Sequence, residues 1–203
     1  MNDTASSAEV PAREYRLFVR EGPARFYFKN NDEGVWLSER GIGWHIGGIS
    51  HTRAWSEIAT IHLQVSYVPR QGSLGCCILY FSDGTAISVI TASQWGAADP
   101  DRNGEYGRFL TDLHRMIPQA MRQKIVFECG STKARHTVLV IAVVVAAISF
   151  LLLPLGILIY FRSLEALLVF GAGAAFVWPM FRMIEATKPD SYDPAAVPEH
   201  LFP

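Results

Sequence analysis

The sequence predicts an α+β fold followed by a membrane anchor: seven antiparallel strands, one amphipathic helix and two transmembrane helices. Short apolar runs separated by turn residues fill the region from Arg25 to Ile90. Apolar residues then recur every three or four positions from Glu105 to Gln123, and long uncharged segments follow Lys133. These three patterns are typical of strands, of a helix with one buried face, and of bilayer-spanning helices.

The seven predicted strands are bounded by clusters of turn residues. Ser82-Asp83-Gly84 lies between two apolar runs, and Asp-Gly in that position is a strong hairpin signal. Gly47-Gly48 and the cluster 30–34 (NNDEG) punctuate the chain in the same way. The strands are predicted at 25–29, 35–38, 42–46, 49–55, 60–67, 76–81 and 85–90.

One amphipathic helix is predicted from Glu105 to Gln123. Its apolar stripe packs on the strands, and the loop Asp99–Gly104 supplies the N-cap. The stripe consists of Phe109, Leu110, Leu113, Met116, Ile117, Ala120 and Met121.

Two transmembrane helices are predicted next, at 137–161 and 164–184. The first contains no charged residue, and Pro154 predicts a kink in its second half. Small residues on both helices, such as Ala142 and Gly173, favour close packing within the hairpin over packing between copies. The predicted segments are a leader at 1–13, a domain at 14–128, a juxtamembrane linker at 129–136, the two spans, and a Pro-rich tail at 185–203.

The flanking charges predict the orientation of the spans in a bacterial inner membrane. Lys and Arg precede the first span and follow the second, whereas the connecting turn holds only Arg162. Both termini are therefore expected in the cytoplasm. Residues 1–13 carry neither the basic start nor the apolar centre of a secretory signal peptide, which agrees with that orientation.

The soluble part resembles the bacterial pleckstrin-homology-like domain. The resemblance is carried by an aromatic residue, an acid and an isoleucine ahead of the fourth strand, here Trp55, Glu57 and Ile58, and by four segments of the sequence. It implies a strongly bent seven-stranded sheet or barrel whose open end is plugged by the helix, and such domains often accompany transmembrane hairpins. The four segments are GVWLSERGIGW (34–44), RAWSEIATIHL (53–63), LYFSDGTAISV (79–89) and FLTDLHRMI (109–117).

No pattern in the sequence indicates catalysis. The net charge is −1 and the pI about 6.6, so composition gives no reason to expect nucleic-acid binding. No nucleophile–base pair, phosphate-binding loop, cofactor fingerprint or metal-ligand spacing is present. His45, His51 and His62 are interpreted as ordinary sheet residues. We therefore expect a protein that is not an enzyme, with no catalytic, cofactor-binding or metal site.

Two functional hypotheses follow. The first is a membrane-anchored protein-interaction module, an accessory subunit of a larger inner-membrane complex or a homo-oligomer. The alternative is a domain that binds lipid or a small ligand at the membrane surface, where Lys133, Arg135 and Arg182 would contact anionic headgroups.

The Pro-rich tail carries a hypothesis of its own. Its four prolines are typical of a disordered segment, but it ends with apolar residues that such a segment does not need. Val197, Leu201 and Phe202 are therefore hypothesised to dock on a protein surface, either the chain's own barrel or a partner.

Overall fold

The computed structural model describes residues 13–23, 33–68, 70, 72–131, 133–161, 165–186 and 188–203. The chain divides into two compact units. Unit 1, the sheet unit, comprises Met1–Cys129 and Ser191–Pro203, and unit 2, the helical unit, comprises Gly130–Asp190. The leader predicted at 1–13 lies outside the described residues except for Arg13, which begins a strand.

The architecture is α+β, with a large nine-stranded sheet and a few helices. The strands lie in the order β4-β3-β2-β1-β7-β6-β5-β8-β9. The neighbours from β4 to β5 pair antiparallel, whereas β8 is parallel to β5. The strands are β1 Arg13–Glu21, β2 Glu33–Ser38, β3 Gly41–Ile46, β4 Ile49–Ala54, β5 Ile58–Val68, β6 Gly72–Phe81, β7 Ala86–Ile90, β8 Val126–Cys129 and β9 Asp190–Ser191.

Six of the seven predicted strands are confirmed as β2 to β7, but the count of seven is wrong. The strand predicted at 25–29 lies outside the described residues. Strand β1 was missed because charged residues alternate with its buried ones, although Tyr15, Leu17 and Val19 show the expected period of two. Strands β8 and β9 have four and two residues, too few to give a pattern.

The amphipathic helix begins and ends earlier than predicted. Helix α1 spans Pro100–Met116, and the carboxylate of its N-cap Asp99 accepts a hydrogen bond from the Asp101 amide. Ile117 is extended because it precedes Pro118, which disfavours helical backbone in the residue before it. The rest of the predicted helix survives only as the four-residue α2, Gln119–Arg122.

The core of the sheet unit lies between one face of the sheet and helix α1. Helix α1 contacts β1, β2 and β6. Its stripe of Tyr106, Phe109, Leu110 and Leu113 is fully buried there. The carboxylate of Asp112 accepts hydrogen bonds from Tyr15, Arg13 and Arg115, which ties the helix to β1.

The helical unit consists of α3 Lys133–Ala147, a π-helical turn Ile148–Leu152, α4 Leu153–Phe161 and α5 Glu165–Ala186. The π-helical turn directly precedes the region of Pro154, a residue that lacks the amide hydrogen needed to continue an α-helix. Helix α5 packs against α3 and α4, and a methyl group on Gly173 would clash with the Phe150 carbonyl oxygen, so this close approach requires a residue without a side chain. The prediction of small-residue packing within the hairpin is therefore confirmed at Gly173.

One helix among the described residues, His136–Ile157, is long and apolar enough to cross a membrane. Core helices of soluble proteins can pass this test, but they are mostly buried, whereas only 12% of the most apolar stretch here is buried within the chain. Helix α5 coincides with the second predicted span. By length and apolar composition, however, it does not qualify as a second membrane-spanning helix. A second span stays a prediction.

Candidate protein-interaction site

Helix α1 leaves part of the sheet's inner face uncovered. A helix is about 10 Å wide and neighbouring strands are about 4.8 Å apart, so one helix covers roughly two or three strands. The residues that follow β9 fill the remaining space, and the 3₁₀ turn Glu199–Leu201 lies against β5. We call 191–203 the tail and the space that it fills, between α1 and strands β5, β6 and β8, the tail groove.

Tyr192 anchors the start of the tail. Its side chain is 8% exposed, and its amide donates to the Phe127 carbonyl oxygen in β8 at 3.3 Å. Its hydroxyl lies 2.8 Å from Nε2 of His114. The rings of Tyr192, His114 and Phe127 form a cluster with centroids 5.6 to 5.9 Å apart. Tail, helix α1 and β8 therefore meet in one small aromatic core.

The hydrogen bonds of His114 fix its tautomer. Its Nδ1 lies 2.7 Å from the Leu110 carbonyl oxygen, and because a carbonyl only accepts, Nδ1 carries the hydrogen. Nε2 of the neutral ring therefore accepts the hydrogen of the Tyr192 hydroxyl. Burial lowers the pKa of His114 below its usual value, and the Arg122 guanidinium lowers it further against the opposing Leu110 bond. The neutral form that binds the tail is thus the favoured one.

Leu201 and Phe202 anchor the end of the tail. The segment first makes a turn, in which the Ala196 amide donates to the Asp193 carbonyl oxygen at 3.0 Å. It then reaches Pro198, whose carbonyl oxygen accepts from the Leu201 amide at 3.0 Å and so closes the 3₁₀ turn. Leu201 is 3% exposed and belongs to the same core as the α1 stripe. Val197 and Phe202 are partly buried against that core.

Two glycines make room for the tail end. A methyl group added at Gly75 in β6 would lie 2.6 Å from the Tyr106 ring and 3.0 Å from Pro203. One added at Gly107 in α1 would lie 3.7 Å from the Phe202 ring. The close approach of the tail at Gly75 thus depends on a residue without a side chain.

The structure places the sequence-predicted site residues unequally. Val197, Leu201 and Phe202 come together, on the sheet unit of their own chain. Arg182 lies exposed on α5. The side chains of Lys133 and Arg135 lie outside the described part of the structure, so their contact with headgroups stays a prediction.

Sequence reasoning missed His114, Tyr192 and Phe127. The residues Tyr192 and His114 lie 78 positions apart, and no local pattern signals such a contact. A tyrosine inside a Pro-rich tail was the only available signal. The other histidines have separate surroundings: His45 packs on Trp36, and His51 stacks on Trp44.

The described residues contain no group of three or more His, Cys, Asp or Glu side chains placed to hold a metal ion. In the comparisons with known proteins, no protein-family model matches the chain and no curated protein is significantly similar to it. The interpretation of the site therefore depends on its geometry.

Proposed function

We propose that this chain is a non-enzymatic, membrane-anchored protein-interaction module. In this proposal the sheet unit is a pleckstrin-homology-like domain that binds an irregular, Pro-rich peptide with apolar anchors in the tail groove. Two helices anchor it in a bacterial inner membrane, with both termini in the cytoplasm. The chain serves there as an accessory subunit of a larger complex.

The order of the elements supports the pleckstrin-homology-like assignment. Strands β1 to β7 form one antiparallel series, and a helix whose apolar stripe enters the core follows them. The sequence resemblance implies seven strands and a plugging helix, although its first strand was predicted at 25–29 and not at Arg13–Glu21. Strands β8 and β9 are additions to that pattern.

The observation that carries the proposal is the tail itself. The sheet unit binds an irregular segment of 13 residues through apolar anchors at both ends and a buried side-chain hydrogen bond. Domains that recognise extended peptides use this combination of apolar pockets and a few directed hydrogen bonds. In the described structure the chain's own tail occupies the groove, so a partner would present a segment of similar chemistry.

A binding experiment tests the groove. A fluorescently labelled peptide of residues 191–203 is titrated into a detergent-solubilised chain truncated after Asp190, and anisotropy is recorded. We expect saturable binding with one peptide per chain. A matched peptide carrying Tyr192→Ala and Leu201→Ala lacks both anchors and should not bind.

The truncated chain is first shown to be folded by its thermal unfolding transition. Equal binding of both peptides would mean that the groove does not recognise the anchors, and the proposal would be wrong. Parallel purification of full-length and truncated chains in mild detergent then shows whether a stoichiometric partner is gained when the tail is absent.

A further inference from the structure

Two exposed aromatic side chains lie at one end of the sheet unit, one at the end of a strand and one in a loop. Tyr67 precedes the turn between β5 and β6 and is 74% exposed, and Trp95 follows β7 and is 70% exposed. Trp95 lies in a tight turn, in which the Ser93 amide donates to the Ala97 carbonyl oxygen at 2.7 Å. A single exposed apolar side chain is ordinary, whereas several that lie together form a patch that marks an interaction or membrane site, so the spacing of the two rings decides their meaning.

The two loops are neighbours. Thr91 and Gly75 exchange hydrogen bonds, so the chain after β7 continues along β6 towards its first residue, Gly72. A methyl group on Gly72 would touch Ala98 at 3.9 Å. Tyr67 and Trp95 therefore flank the start of β6, about two strand spacings or roughly 10 Å apart.

The two loop segments themselves carry little charge, and of the charged residues that follow them at the start of α1, Asp99 and Arg102 form an ion pair at 3.1 Å. The segments 67–73 and 91–98 contain one charged side chain, Arg70, and no acid. The far end of β6 is the opposite, because Arg53 forms ion pairs with Glu57 and Asp83 there, each at 2.7 Å. We call Tyr67, Arg70 and Trp95 the aromatic tip.

The chain leaves the sheet unit towards the aromatic tip. Strand β8 runs parallel to β5 and pairs Cys129 with Leu63, so it points towards the Tyr67 end. Tyr67 lies four residues beyond Leu63, about 13 Å along the strand. Cys129 is followed within seven residues by His136, the first residue of the candidate membrane span, and seven residues reach at most about 25 Å.

We propose that the aromatic tip inserts into the interface of the phospholipid bilayer, with Arg70 on a lipid phosphate. The inference rests on the membrane anchor of the proposed function, but not on its peptide groove. Tryptophan and tyrosine are the residues that concentrate at the headgroup level, and arginine is suited to phosphate. The short covalent tether, which leaves from the same end of the sheet, favours lipid over a protein partner, although protein interfaces also use Trp, Tyr and Arg.

Tryptophan quenching tests the insertion in the full-length chain. The chain is placed in nanodiscs of phosphatidylcholine with some phosphatidylglycerol, either plain or brominated near the headgroup end of the acyl chains. The difference between the emission of the chain and of its Trp95→Phe variant isolates Trp95. A control adds Ser82→Trp to Trp95→Phe, which moves the probe to an exposed turn at the far end of β6.

We expect brominated lipid to remove at least about half of the Trp95 emission, because the ring lies among the headgroups, and to leave the residue-82 probe unaffected. Tyr67→Ser and Arg70→Gln should each weaken the Trp95 quenching. If acrylamide in the buffer quenches Trp95 and brominated lipid does not, the tip is in water and the inference is overturned.

Protection of Trp95 from both quenchers would overturn it in favour of a protein contact. A chain that enters the nanodiscs with Trp95 unquenched overturns this inference alone. A chain that does not enter them at all overturns the membrane anchor of the proposed function as well.

Discussion

The same substitution, tyrosine to phenylalanine, should have opposite effects at two buried positions next to the tail. At Tyr192 it removes the hydroxyl that donates to Nε2 of His114 at 2.8 Å. At Tyr106 it removes a fully buried hydroxyl that makes no hydrogen bond with any described residue. The ring and its packing are retained in both variants, so the change reports the hydroxyl alone.

The expected magnitudes follow from burial. His114 is 4% exposed, so its Nε2 cannot gain water without structural change, and a buried acceptor left without a donor costs about 1–3 kcal/mol. Tyr192→Phe should therefore lower the free energy of unfolding by that amount. Tyr106→Phe ends the burial of an unpaired hydroxyl and should leave stability unchanged or raise it by about 1 kcal/mol.

Urea unfolding of the full chain in detergent, followed by tryptophan fluorescence, measures both effects. With a slope of about 2 kcal/mol per molar urea, Tyr192→Phe should lower the midpoint by about 0.5–1.5 M. Tyr67→Phe is the matched control, because that side chain is 74% exposed, and it should not move the midpoint. A midpoint for Tyr192→Phe equal to that of the control would refute the assigned hydrogen bond and with it the anchoring of the tail.

Three further predictions concern the same region. Leu201→Ala should lower the unfolding free energy by about 2–5 kcal/mol in the urea assay, because the side chain is 3% exposed. A loss as small as that expected for an exposed leucine would contradict the placement of the tail in the core. Gly75→Ala should cost about 1–3 kcal/mol because its methyl group would meet the Tyr106 ring at 2.6 Å, whereas Gly104→Ala, with open space around it, should be neutral or stabilising. The pKa of His114 is lower in the folded chain than the usual 6.5, so neutral His114 contributes its full stabilisation above about pH 6.5. This stabilisation is lost as the pH falls towards the pKa of His114 in the folded chain. The thermal midpoint should fall accordingly, and His114→Gln should remove this part of its pH dependence.

The sequence predicted those strands whose signal is local. Strands β2 to β4 are separated by two-residue turns, and the Asp83-Gly84 turn marks the β6–β7 hairpin. Strands β8 and β9 form because neighbours already in place offer them backbone partners, and that information is not contained in two or four residues. The end of α1 was predictable in principle, since Pro118 marks it.

The candidate site was predictable in its tail end and not in its groove. Leu201 and Phe202 are conspicuous because apolar residues in a Pro-rich segment have no local purpose. The His114–Tyr192 hydrogen bond depends on a return of the chain after a unit of 61 residues, Gly130–Asp190. Sequence periodicity describes which face of an element is buried, but not which distant segment covers it.

A partner that uses the tail groove must compete with a ligand on the same chain. Because β8 and β9 are neighbours in the sheet, the tail starts beside its groove, and a tethered ligand acts at an effective concentration of roughly 1 mM. If the free peptide of residues 191–203 binds the truncated chain with a Kd of about 10 µM, the intact chain should bind it about 100-fold more weakly.

The comparison is made by anisotropy with the same labelled peptide and both chains. Acidification towards the pKa of His114 in the folded chain, which lies below the usual 6.5, should narrow the difference, because protonated His114 no longer accepts from Tyr192 and both the tail and the peptide then bind more weakly. Equal affinity of the intact and truncated chains would show that the tail does not occupy the groove in solution. A groove that already holds the tail must release it before the free peptide can bind.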